Sequence, residues 1–227
     1  MSDPVDKLTA TAVVDRARLK RGPGRPRTSD AEPSARDQIL DSATAMFCRF
    51  GINAIGIDSI VEAAGVSKTT LYNIFGSKEA LIHDVLSKAG RDWRQDLFAA
   101  IDAETGEPAA KLLAIFDRLE EWFGDPDYFG CPFINAVGEH DKFDNAMRDI
   151  ALAHKKLVLQ RIIALAHTAQ LADAVGAAHQ IAVIIDGAIV AALITRDPLI
   201  ARAAKQAAQA VLEKQSNRGM HLIDVSV

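Results

Sequence analysis

The chain has 227 residues, 49% of them hydrophobic and 25% charged, with a formal net charge of −4; this suits one large domain or two small ones around an ordinary helical core. Two cysteines, Cys48 and Cys131, exclude a disulfide framework and a cysteine-rich zinc cluster and fit a reducing compartment. No uninterrupted apolar run reaches the roughly 18 residues of a membrane helix and the opening residues lack an apolar signal core, so a cytoplasmic protein with no membrane partner is expected.

Charge is unevenly spread. From Arg16 to Lys78 there are ten Lys and Arg against six Asp and Glu, so this window is +4 and the remainder −8. A basic front end on an acidic body suits a protein whose front meets nucleic acid. Residues 1–33 are polar, with Pro4, Pro23, Pro26 and Pro33, and cannot bury enough apolar surface to fold alone. Within them RARLKRGPGRPR, Arg16 to Arg27, carries six bases and no acid. Its Gly24-Arg25-Pro26 core is similar to part of an AT-hook, which places Arg25 and Arg27 in a minor groove; the other reading is a solvated basic tail.

Ser34 to Phe50 predicts a first helix, with Ile39, Leu40, Ala43, Met46, Phe47 and Phe50 on its buried side and Gly51 as its stop. Cys48 beside that stripe reads as a half-buried core thiol. Residues 56–78, GIDSIVEAAGVSKTTLYNIFGSK, then split at Gly65 into two short helical patterns. Ile57, Ile60, Val61 and Ala64 form the first stripe, and Leu71, Ile74 and Phe75 the second, with Ser67 as N-cap. Two short helices about a glycine turn make a helix-turn-helix. The outer face of the second offers Lys68, Thr69, Thr70, Tyr72 and Asn73: hydroxyls and a lysine for phosphates, an amide for a base edge. Lys78, at a helix start capped by Ser77, is expected on phosphate. The plainer alternative is a pair of amphipathic helices with a polar outer face.

The string AAGVSKTTLYNIFGSKEAL resembles the DNA-binding signature of the TetR family of transcriptional regulators. Ala64, Gly65, Val66, Ser67, Tyr72, Phe75, Ser77, Lys78, Glu79 and Leu81 match as they stand. Gly56 departs from the Thr or Ser that usually caps the second helix, and Ile74 from the usual His or aromatic residue. The resemblance implies an all-α fold: a three-helix head on a larger helical body that binds an effector and dimerises. The division expected is an arm at 1–33, a head at 34–77, a body at 78–217 and a tail at 218–227.

Beyond the head, a long helix runs from Lys78 to about Ile101, and another from Leu112 through Leu113, Phe116 and Leu119 to Phe123. Pro132 suits the first turn of a short helix. GCPFINA there resembles a Gly-Cys-x-x-x-Asn-Ala segment in the body of one branch of the family, where Cys131 reads as a small buried residue. A long helix is predicted over 144–168, then helices from Ala172 to Thr195 and from Pro198 to Gln215, the last capped by Asp197. Both are rich in small residues, among them Ala182, Gly187, Ala188, Ala191, Ala192, Ala203, Ala204, Ala207 and Ala208. By the resemblance the pair would form a homodimer interface through residues 174–215; the alternative is that it completes a monomer core. The effector-binding residues expected in the body are Trp93, Phe116, Phe123, Phe133, Asn135, His154 and Ile185.

No phosphate-binding loop, dinucleotide fingerprint, nucleophile elbow or His-Glu-x-x-His is present, so neither an enzyme nor a cofactor is called for. Cys131, Glu139, His140 and His154 are spaced too loosely for structural zinc, and no metal site is expected. The function expected is a repressor that binds double-stranded operator DNA and is released by an unknown small-molecule effector. The alternative is an effector-independent activator or architectural protein.

Overall fold

A computed structural model describes residues 33–140 and 145–223, which are helical apart from their connections. The fold divides into two compact units, one ending at Val85 and the other beginning at Leu86. In chain order the helices are α1 Ala35–Phe50, α2 Ile57–Ala64, α3 Lys68–Phe75, α4 Lys78–Ala103, α5 Pro108–Phe123, α6 Pro132–Glu139, α7 Asn145–Thr168, α8 Ala174–Thr195 and α9 Ile200–Ile223.

The first unit is a small helical head. The Ser34 hydroxyl accepts from the Asp37 N–H at 3.2 Å and starts α1; Gly51, at φ 89°, stops it. Ile39, Leu40, Ala43 and Phe47 turn inward. Phe50 does not: it is 41% exposed, and the Arg49 guanidinium lies over its ring. By spacing Phe50 shares the face of Ile39 and Ala43; its exposure comes from its place as the last residue of α1, at the open end of that face. A second correction concerns Ile74, which is exposed while Leu71 and Phe75 are buried. Leu71 and Phe75 stand four residues apart and share one face of an eight-residue helix, which leaves Ile74 at its edge. Leu81, Ile82 and Val85 of α4 complete this core. Arg36 of α1 lies over the Phe75 ring and reaches Asp84 at 2.6 Å.

In the second unit, α5 begins with Pro108 at its first turn and buries Leu112, Ile115, Phe116, Leu119 and Phe123. It packs against α9, whose Ala201, Ala204, Ala208 and Leu212 are inside. Two ion pairs join them: Arg202 donates to Glu120 through its Nε and Nη2 at 2.6–3.0 Å, and Lys205 meets Asp117 at 2.6 Å. Helix α8 lies against α7 and α9, and Lys155 of α7 pairs with Asp186 of α8. The α8–α9 corner turns at Arg196 in the left-handed region, φ 56°. That conformation is unfavourable for a side-chain-bearing residue, and here it is anchored: Arg196 donates to the Tyr128 carbonyl at 2.8 Å.

Several boundaries shift from expectation. Asp173 accepts from the Gly176 N–H at 2.8 Å, so α8 starts at Ala174 rather than Ala172. Asp197 accepts from the Leu199 N–H, but the helix proper begins at Ile200 and runs on to Ile223. By length and composition alone α8 is apolar enough to cross a membrane, although no uninterrupted apolar run in it reaches 18 residues. An 18-residue window within it averages a mean hydropathy of 1.9; an average absorbs Asp186, which an uninterrupted run does not. Its inner face, Ile181, Ile185, Ala188, Ile189 and Ala192, is packed within the unit.

Candidate nucleic-acid interface

The turn between α2 and α3 is made by Gly65 at φ 69°, ψ 31°, a left-handed cap that glycine adopts without steric cost. The Val66 N–H returns to the Val61 carbonyl at 3.1 Å, which closes the end of α2. Ser67 then caps α3, accepting from the Thr70 N–H at 3.0 Å. With Leu71 and Phe75 buried, the opposite face of α3 is free. Lys68, Thr69, Tyr72 and Asn73 are all exposed on it. Thr70 is half-buried and its hydroxyl sits 2.8 Å from that of Ser67, so it belongs to the cap as much as to the outer face.

Two lysines have partners that the sequence did not announce. Lys68 lies 2.6 Å from Asp58 of α2, whose hydrogen bond and charge hold the amine above its ordinary range. Lys78 donates to the Ile52 carbonyl at 2.9 Å, tying the start of α4 to the α1–α2 connection. One of its three N–H groups is thus committed inside the head. Arg25 and Arg27, together with the rest of the basic arm, lie outside the described residues.

In the second unit the structure gathers some of the expected effector residues and separates others. His154 is buried, stacked on Phe133 with ring centroids 4.0 Å apart and 13° between planes; Trp93 lies 5.6 Å from it. Trp122 joins at 5.9 Å from Trp93 and 5.0 Å, edge-on, from Tyr128, and Phe123 also meets Tyr128. Burial, then the charges of Arg94 and Lys155, push His154 down to about 3. The imidazole is neutral, and Arg94 donates to its Nδ1 at 2.7 Å. Phe116 and Ile185 are core residues, 1% and 3% exposed, and Asn135 spends its amide on the Phe129 carbonyl at 2.9 Å. Tyr128 donates to the Ile189 carbonyl at 2.6 Å, and burial raises its hydroxyl. Cys131 precedes α6 as a buried thiol, raised by burial. Among the described residues no three His, Cys, Asp or Glu side chains gather to hold a metal. Arg94, Trp122 and Tyr128 join this cluster from outside the expected set; Arg94 and Trp122 adjoin Trp93 and Phe123 in sequence, and Tyr128 lies in the connection after α5.

A helix-turn-helix head with an exposed polar second helix, carried on a helical body, defines a DNA-binding transcriptional regulator. Comparison with known proteins makes the class specific. The family described as bacterial regulatory proteins, tetR family, matches residues 39–85, and the tetracyclin repressor-like C-terminal domain matches residues 108–209. SCO4454, a TetR-family regulator from Streptomyces coelicolor, is 31% identical; the match covers 80% of this chain and 96% of that one, with a TM-score of 0.73. A TetR-type regulator (sav143) from Streptomyces avermitilis is 27% identical over 81% of this chain and 99% of its own, with a TM-score of 0.71. The chain belongs to the TetR family of transcriptional regulators.

Matches to curated relatives are shorter. The uncharacterised regulator Rv1255c of Mycobacterium tuberculosis is 38% identical over 79 residues, 35% of this chain and 39% of that protein. The transcriptional repressor ComR of Escherichia coli is 37% identical over 118 residues, 52% of this chain and 54% of its own. The chain spans between two fifths and just over half of these two relatives.

Proposed function

We propose that the protein is a homodimeric repressor that reads operator DNA with α3 and leaves it when a small molecule occupies the second unit. The observation that carries the reading is the exposed row Lys68, Thr69, Tyr72 and Asn73, presented by a helix fixed at its start by Ser67 and along its back by Leu71 and Phe75. An amide and a hydroxyl at that place suit base edges, and Lys68 suits phosphate. ComR carries the name of a repressor, which favours that sign of regulation here.

Dimerisation is assigned to α8 and α9. Val183, Gly187, Val190 and Ile194 form one stripe along α8, with Val183 72% and Ile194 76% exposed. Leu199, Ala203, Ala207 and Ala210 continue the apolar surface on α9. Two copies of this face bury each other's side chains, and the small residues permit close helix approach. A dimer puts two recognition helices on successive major grooves about 34 Å apart. An effector that favours a body conformation with the wrong spacing weakens operator binding by its differential affinity for that state. The arm, through Arg25 and Arg27, adds minor-groove contacts beside each half-site.

The test is selection of duplexes from a randomised pool, followed by titration of variants. Asn73→Ala and Thr69→Ala should relax preference at defined positions by about 1–3 kcal/mol for a bidentate contact. Equal loss on selected and random duplexes would remove α3 as the reading helix. Deleting residues 1–28 should abolish a preference for A·T over G·C flanks and leave the half-site preference intact.

A further inference from the structure

In the second unit the basic side chains that bridge helices have carboxylate partners: Lys155 with Asp186, Arg161 with Asp102, Arg202 with Glu120 and Lys205 with Asp117. Arg118, whose side chain is 23% exposed, meets Glu121. Arg94 differs. It is half-buried on α4, and its polar contact among the described residues is the neutral Nδ1 of His154 at 2.7 Å. Of the acids beside it on its own helix, Asp92 pairs with Lys88 at 2.8 Å, and Asp96 makes no ion pair with Arg94. Burial, reinforced by Arg91, holds the guanidinium below its ordinary range.

The surroundings are aromatic. Phe133 and His154 are stacked and buried, and Trp93 and Trp122, half-exposed and 5.9 Å apart, lie beside them, with Trp93 5.6 Å from His154. Gly90 keeps α4 close to this stack. A Cβ there would come within 2.7 Å of Phe133 Cζ and 3.0 Å of both Arg94 Nη1 and His154 Nδ1. A desolvated cation with a neutral partner is an unfavourable arrangement unless an anion completes it. A guanidinium has five N–H donors, and the histidine takes one, which leaves a free edge that matches a carboxylate. Indole and phenyl rings around it suit a planar apolar body.

We infer that the effector of this regulator is an organic carboxylate on a flat, apolar body, held by Arg94 with its rings against Trp93, Trp122 and Phe133. This deepens the effector reading proposed above and rests on it. In this arrangement His154 is a positioning residue: its unprotonated Nδ1 fixes one guanidinium N–H and aims the others.

The chain has two tryptophans, both at this site, so indole N–H signals in 15N-labelled full-length protein report on it directly. Cinnamate and 3-phenylpropionate are titrated against their primary amides, which have the same shape and no charge. Both acids should shift the two indole signals and bind about tenfold or more tightly than the amides, the scale of a charge-assisted bidentate contact. Arg94→Gln should bring acids down to the amide level, and Arg94→Lys should keep part of the preference. Amides that bind as well as acids, acids that move neither indole, or an unchanged preference in Arg94→Gln would overturn the inference. If Arg94→Gln does not fold, the acid–amide comparison on the unaltered protein decides alone. Affinity for the selected duplex is measured in parallel by anisotropy. Acids that bind at the indoles and leave DNA affinity unchanged refute the effector reading, whereas amides that bind the unaltered protein as tightly as the acids and release DNA equally well refute the anion assignment.

Discussion

The buried imidazole of His154 makes the second unit sensitive to acid in a way that can be calculated. Its pKa falls from an ordinary 6.5 to about 3, because Phe133 and Trp93 exclude water and Arg94 and Lys155 oppose a further positive charge. Above pH 6.5 both folded and unfolded states carry a neutral ring, and the group contributes nothing to pH dependence. As pH falls below 6.5 the unfolded chain takes up a proton that the folded one refuses, and stability drops by roughly 1.4 kcal/mol per pH unit. The loss levels off near pH 3. Between pH 6.5 and 4.5 this amounts to about 3 kcal/mol as an upper figure. His154→Gln keeps an acceptor for Arg94 and does not titrate. Urea unfolding of both proteins at one protein concentration, followed by the emission of Trp93 and Trp122, gives the comparison. The variant should be the less stable at pH 7.5, where it lacks the ring stack, and should gain on the unaltered protein steadily down to pH 4.5. A stability difference that stays flat over that range would show that His154 takes its proton in the folded state and is not held neutral by burial.

Other substitutions probe the head and the proposed dimer face. Gly56 starts α2 with ordinary φ −87° and no side-chain cap, and a Cβ there meets nothing within 4 Å. Gly56→Ser should therefore stabilise the head by about 0.5–1.5 kcal/mol, through the cap and a less flexible unfolded chain, read as an upward shift of its thermal midpoint. Lys78→Ala removes the bond to the Ile52 carbonyl as well as a charge, so it should lower head stability by about 1 kcal/mol besides weakening every duplex alike; unchanged melting would assign the amine to DNA alone. Ile194→Glu should yield monomers in sedimentation and abolish operator binding, and a variant that stays dimeric would move the interface off the α8 stripe.

The head was legible in the sequence because its determinants are local. Gly65, Ser67 and Ser77 act on residues three or four positions away, and the apolar spacing of α1, α2 and α3 names its own buried face. The misses there, Phe50 and Ile74, come from helix ends and edges, where periodicity overstates the width of the buried stripe. The body was legible as a set of helices and less so as a site. Trp93, Phe133 and His154 were selected as isolated aromatic or polar residues; what joins them is that α4, α6 and α7 meet, which no spacing records. Ion pairs between helices follow the same rule. Asp58 with Lys68 and Lys155 with Asp186 are ten and thirty-one positions apart, beyond the reach of helical periodicity. Phe116 and Ile185 show the converse difficulty, since a buried apolar residue reads the same in sequence whether it lines a site or fills a core.

The packing of α5 against α9 has a consequence for how the chain is made. Within the head every partner lies a few dozen residues away, so it can collapse as soon as α4 leaves the ribosome. The face of α5 waits much longer. Its ion pairs to α9 span 82 and 88 positions, and although α7 and α8 also pack on α5, the side that meets α9 stays uncovered until that last helix is synthesised. At 5–20 residues per second this interval is on the order of ten seconds. During it a nascent chain carries a complete head on a body still missing its last helix, and Asp117 and Glu120 stand beside the bare α5 face without their α9 partners.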